Sequence, residues 1–146
     1  MTYKAFFDTN ILAYEFEREE PEKRAVAKRL LAEWRPSGRM VISVQVLQEL
    51  YVVLARKMGI AEEDAASIVQ QYARLPTVIG ADPALVLRGI EISRRYKISY
   101  WDALIVGAAS RGRCRIIFTE DLSHGMKIEG IEIVNPFWKP PLSDRV

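Results

Sequence analysis

The sequence predicts an α/β domain built on a mainly parallel sheet. Short apolar runs alternate with amphipathic stretches along the whole chain, the pattern that strands linked by crossover helices produce. Hydrophobic residues make up 49% and charged residues 27% of the 146, a globular composition rather than a disordered one. A chain of this length buries about two-thirds of its unfolded surface in one domain. No internal repeat and no linker divides it, so residues 1–146 read as a single domain, with 135–146 as an irregular C-terminal tail.

The elements follow in order. Tyr3 to Phe7 is the first strand, cut off by the turn Asp8-Thr9-Asn10, and a short helix starts near Asn10. Pro21 suits a first helical turn, which gives a helix to about Trp34, and Pro36 with Gly38 makes the break after it. Met40 to Ser43 is the second strand, followed by a helix from Val44 to Met58 that Gly59 closes. A helix from Glu62 to Arg74 is stopped by Pro76, and Thr77 to Ile79 is the third strand. Asp82-Pro83 opens a helix to about Tyr96, and Ser99 caps another that ends near Gly112. Arg115 to Thr119 and Glu132 to Val134 complete five strands. The tail Asn135-Pro136-Phe137-Trp138-Lys139-Pro140-Pro141 is too rich in proline for regular structure.

The net charge of +2 conceals three basic clusters: Lys23-Arg24 with Lys28-Arg29, Arg94-Arg95 with Lys97, and Arg111, Arg113 and Arg115. These read as solvated helix faces or, around an acidic centre, as a phosphate-contacting surface. Cys114 is the only cysteine, which excludes an intramolecular disulfide and reads as a small buried hydrophobe in a reducing compartment. Asp8 breaks the N-terminal apolar run too early for a signal peptide, and no segment approaches the roughly 20 apolar residues of a membrane span. A soluble cytoplasmic protein is expected.

Four acids stand where carboxylates are costly. Asp8 and Asp121 follow apolar strands, at the strand ends where open parallel sheets bind ligands. Asp8 also suits a helix cap, although Asn10 is a second candidate for that role. Glu49 has Val46, Val52 and Val53 as helical neighbours, although a boundary glutamate paired to Arg56 is the alternative. Asp102 completes a capping box with Ser99, yet shares a face with Ile105, Val106 and Ala109. Glu120 competes with Asp121 for the last position. Two carboxylates about 4 Å apart repel by roughly 4 kcal/mol at an effective dielectric of 20. Convergence of several therefore calls for a divalent cation.

Taken together, Asp8-Thr9-Asn10, Glu49 in mid-helix, Asp102 opening a helix and Thr119-Glu120-Asp121 resemble the PIN-domain nucleases, and the short single-domain form resembles the VapC-type toxins of toxin–antitoxin pairs. The resemblance decides for Asp121 over Glu120. It implies the strand order 3-2-1-4-5, and a cleft in which Asp8, Glu49, Asp102 and Asp121 are catalytic. Asp8, Asp102 and Asp121 would contact magnesium or manganese, with Asn10 and Thr119 in support. It also implies an RNA substrate cut to leave a 5′-phosphate, a small antitoxin laid over the cleft, and a homodimer. A housekeeping RNA-processing nuclease and a non-catalytic binding module on the same fold are the alternatives. Tyr14, Phe16, Tyr51 and Trp101 could serve partner contacts, with packing as their expected role.

Rival chemistries fit less well. A haloacid-dehalogenase-type phosphatase needs an acid two residues after the nucleophile, where Asn10 cannot deliver a proton. A receiver-like signalling domain needs a lysine after the last strand, where Asn135-Pro136 stands, though Asp82 could pose as its phosphoacceptor. Metal-free ribonuclease chemistry needs a matched acid and base, and His124 is the only histidine.

Overall fold

In the computed structural model, which describes residues 2–142, the strands are β1 (Lys4–Phe7), β2 (Met40–Ser43), β3 (Thr77–Ile79), β4 (Cys114–Phe118), β5 (Lys127–Ile128) and β6 (Ile131–Val134). The helices are α1 (Thr9–Ala13), α2 (Pro21–Trp34), α3 (Val44–Val52), α4 (Glu62–Ala73), α5 (Pro83–Tyr96) and α6 (Tyr100–Arg111). The sheet order is β3-β2-β1-β4-β6-β5. β3, β2, β1, β4 and β6 are parallel and keep the expected 3-2-1-4-5 arrangement, with β6 as its fifth strand, while the additional β5 forms an antiparallel edge.

β5 is the element that sequence patterning missed. Two residues are too few to show a period, and the hairpin turns on Glu129 and Gly130, both at positive φ (52° and 77°). That geometry normally advertises itself as Asn-Gly or Asp-Gly. A second departure lies in the long helix after β2, whose last part, Val53–Lys57, widens into a π-helical turn. Met58 N–H donates to the Val53 carbonyl at 2.9 Å, one residue beyond α spacing, before Gly59 (φ 67°) ends the run.

β1 and β2 lie inside the sheet, flanked on both edges, which is why they read as unbroken apolar runs. Phe6, Phe7, Val41 and Ile42 are fully buried. Trp34, at the end of α2, packs against Phe7 and Phe118 with ring centroids 5.7 Å from each. α5 and α6 pack closely because small residues face the contact: a Cβ on Gly89 would meet Leu104 Cδ2 at 2.7 Å. Among the described residues, no helix is long and apolar enough to cross a membrane.

Other expectations change. Trp101 is 66% exposed rather than packed, whereas Tyr14, Phe16 and Tyr51 are half-buried. Asp82 caps α5 through Leu85 N–H at 2.8 Å and is held by both terminal nitrogens of Arg111, so it is not a free phosphoacceptor. Cys114 is buried, and desolvation pushes its thiol up to about 12. The described part of the tail carries no strand and no α-helix, and it is packed: Phe137 lies edge-on against Tyr14 at 5.0 Å.

Candidate active site

Asp8 leaves the carboxyl end of β1 and caps α1. Its Oδ1 accepts the Thr9 N–H at 2.8 Å, and its Oδ2 accepts the Thr119 hydroxyl at 2.7 Å. Asn10, the second candidate for the capping role, does not take it for a geometric reason: Asp8 has extended dihedrals, whereas Asn10 already lies inside the helix. Asp8 N–H also donates to Phe118 O at 3.0 Å, which joins the ends of β1 and β4. The side chain is buried, and burial pushes its carboxyl up to about 7. The Thr119 and Thr9 hydrogen bonds oppose that shift, and the negative charges of Asp121 and Glu49 add to it.

Thr119 works in both directions. Its hydroxyl donates to Asp8 and accepts the Asp121 N–H at 3.1 Å, so one buried side chain sets the spacing of two acids. Asp121 is exposed as a residue. Its carboxyl is nevertheless raised by partial burial first and then by the charges of Asp102 and Glu120, with hydrogen bonding to Asp8 acting the other way. Asp102 sits half-buried in the first turn of α6, where its N–H donates to Ser99 Oγ at 3.1 Å. The expected cap is therefore present, and Ile105, Val106 and Ala109 on its face are buried.

Glu49 is where the sequence argument needs correcting. It does not lie against the core: it is exposed, and its neighbour Val52 is half exposed too. The buried residues of α3 are Val46 and Leu50, so Glu49 lies on the margin of that stripe. It is not paired with Arg56; its Oε1 accepts from Gln45 Nε2 at 2.8 Å, and Gln45 also reaches the Trp101 carbonyl at 3.3 Å. Glu49 still lies close enough to Asp8 to raise its carboxyl.

Asn10 is half-buried and lines a cavity of about 210 Å³ with Tyr14, Glu17, Glu20, Lys57 and Met58. Among the described residues its side chain makes no hydrogen bond to the acids. Glu120, the rival of Asp121, is already occupied: Lys23 Nζ lies 2.8 Å from its Oε2, and the Tyr14 hydroxyl makes a short hydrogen bond to its Oε1. Burial, then Glu120, pushes the Tyr14 hydroxyl up to about 12, and the Glu120 contact raises Lys23. This Tyr14–Lys23–Glu120 cluster was not legible beforehand, because its members are scattered over more than a hundred positions. His124 holds a structural place, with Nδ1 accepting the Asn135 N–H at 3.1 Å.

Among the described residues no ion pair reaches Asp8, Glu49, Asp102 or Asp121. Nor do three acid, histidine or cysteine side chains draw together into a ready-made metal cage. The donor set is nevertheless suited to a hard divalent ion: oxygen only, uncompensated, and centred on a buried carboxyl. An open arrangement fits magnesium, which keeps several of its waters and takes few direct protein ligands.

The PIN domain family model matches residues 5–124. Among solved structures, a toxin–antitoxin complex from Klebsiella pneumoniae shares 26% identity at a TM-score of 0.68, over 92% of this chain and 98% of that one. DNA-bound VapBC from Salmonella typhimurium shares 26% at a TM-score of 0.58, over 90% and 97%. Mycobacterium tuberculosis VapC20, a toxin that cleaves the sarcin–ricin loop, shares 20% at 0.65, over 81% and 90%, a likeness of fold. No curated protein matches by sequence. The chain belongs to the PIN domain family, with the fold of the VapC-type toxins.

Proposed function

We propose that this protein is a magnesium- or manganese-dependent endoribonuclease and the toxin half of a toxin–antitoxin pair. The observation that carries the reading is Asp8: a buried carboxyl that no ion pair reaches among the described residues, pushed up to about 7 by desolvation and flanked by further acids. A fold does not keep such a group for stability, because an unpaired buried charge costs several kcal/mol, of order.

Asp8, Asp102 and Asp121 would hold the cation, and Glu49 would orient water at the open edge. When bound, the ion supplies charge neutralisation at the scissile phosphate and a more acidic water. The chain's own residues supply position. Thr119 fixes Asp8 and the Asp121 backbone together, and Lys23 with Tyr14 keeps Glu120 out of the centre. Phosphate contacts from nearby Arg and Lys would make RNA binding weaken with salt.

Family likeness to toxin–antitoxin complexes supports a protein antitoxin as partner. Exposed Trp101, directly beside Asp102, borders an apolar cavity of about 240 Å³ with Val86, Tyr100 and Leu104, a suitable anchor for such a segment. A homodimer is proposed through the exposed apolar face of α5.

Cleavage of total RNA by the wild type beside Asp8→Asn, each with magnesium or with chelator, tests the activity. Cutting by the wild type in magnesium alone is expected, with Asp8→Asn reduced at least about 100-fold, as for loss of a central charge-stabilising group. Equal cutting by both proteins would remove the nuclease assignment.

A further inference from the structure

α2 and the C-terminal segment border a separate cavity of about 600 Å³, lined by Lys23, Arg29, Phe137, Trp138 and Lys139 among others. Trp138 is 51% exposed, and the His124 ring stacks on its indole at 4.5 Å between centroids and 15° between planes. The stack is braced from below: His124 Nδ1 accepts the Asn135 N–H, and Asn135 Oδ1 accepts the Phe137 N–H at 2.9 Å. Phe137 is itself clamped between Tyr14 and the Lys23 ammonium, which lies 5.4 Å from its ring centre. A large aromatic surface is thus held in a fixed orientation while half of it faces water. Core packing does not require that arrangement.

Charge narrows the choice of occupant. Of the three cations that border the cavity, Lys23 is paired with Glu120, Lys139 makes a 3.4 Å contact with Glu22 between two largely exposed side chains, and Arg29 has no ion pair among the described residues. A cationic rim around an indole suits a polyanion with flat π-faces better than an apolar protein segment. The cavity also reaches the Glu120 cluster, since Lys23 lines it and contacts Glu120, the chain neighbour of Asp121.

We propose that this cavity is a nucleobase-stacking subsite for single-stranded RNA, in which Trp138 receives one unstacked base and Arg29 and Lys139 contact the adjoining phosphates. The assignment rests on the ribonuclease reading given above and adds to it a place where the strand is held. Aromatic stacking combined with Lys and Arg contacts is the general means of gripping an unpaired strand.

The test uses full-length Asp8→Asn protein, so that RNA is not cut, and a labelled single-stranded oligoribonucleotide of mixed sequence read by fluorescence anisotropy. Adding Trp138→Ala is expected to weaken binding about tenfold, whereas Trp138→Phe stays within about threefold. Arg29→Gln should flatten the salt dependence of binding by about one phosphate contact. In otherwise wild-type protein, Trp138→Ala should slow cutting at limiting RNA and match the parent at saturation. Equal affinities with and without Trp138 overturn the subsite alone, provided that the wild type still cuts RNA. A weakening that Phe does not rescue, accompanied by a lower melting temperature, also overturns it in favour of a structural role. Unchanged RNA binding with loss of a co-purifying protein would make the surface a protein-docking site instead. A wild type that neither cuts nor binds RNA removes the parent reading and this one together.

Discussion

At Asp8 the cost of burial and the use of a charge meet in one side chain. Its folded carboxyl titrates near 7, whereas an unfolded aspartate titrates near 3.8. Between those values the folded protein holds a proton that the unfolded chain has lost, so stability falls as pH rises through the window from about 4 to about 7. A cation favours the ionised form, so the gain in melting temperature on adding magnesium should be larger near pH 8 than near pH 5. Melts in chelator and in magnesium across that range measure both effects. Asp8→Asn should flatten the chelator profile and abolish the magnesium gain; a metal-free protein equally stable throughout would show that Asp8 is not the strained group. Asp8 and Asp102 could be found from sequence because a strand-end acid and a capping box are local signals. Glu49 was singled out for its apolar helical neighbours, of which Val46 is buried and Val52 half exposed, so it stands at the margin of the buried stripe. The choice between Glu120 and Asp121 was undecidable locally, because what settles the state of Glu120 is Lys23, on a distant helix.

At the scale of elements, Lys23 joins α2 to the loop after β4. Its ammonium contacts Glu120, the Tyr14 hydroxyl and the faces of two aromatic rings. Removing it leaves the largely buried Glu120 carboxylate with Tyr14 alone. Lys23→Met should therefore cost about 1–3 kcal/mol of stability, the usual range for orphaning one partner of a charged hydrogen bond. It should also lower the rate of RNA cutting at saturating substrate, because a freed Glu120 competes with Asp121 for the centre. Denaturant unfolding and steady-state cleavage read the two effects separately. A stability loss with an unchanged rate would reduce the cluster to packing. The helices themselves were readable because Pro21, Gly59, Pro76, Asp82 and Ser99 punctuate the chain at their ends. The π-helical turn at Val53–Lys57 was not, since a single inserted residue leaves the apolar spacing almost intact.

For the whole molecule, the parallel sheet was legible because β1 and β2 are covered on two faces and so lack any polar alternation. What covers the outer surface is not written in that pattern. Val86, Leu87 and Ile90 on α5 are each more than two-fifths exposed, on a helix whose opposite side packs on α6. A contiguous apolar strip of this kind is better explained by a partner than by solvent. If a second copy covers it, two-fold symmetry brings each α5 against its counterpart, so a single substitution acts twice. Burying one Leu contributes about 1.5–3 kcal/mol. Leu87→Glu should accordingly raise the dimer dissociation constant at least about 100-fold, at about 1.4 kcal/mol per factor of ten. Its melting temperature at high dilution, where both proteins are monomers, should stay close to that of the wild type. Sedimentation velocity across a concentration series gives the answer. A wild type that stays monomeric at its highest soluble concentration would assign the strip to another partner, and a Leu87→Glu protein that still dimerises would place the two-fold contact elsewhere.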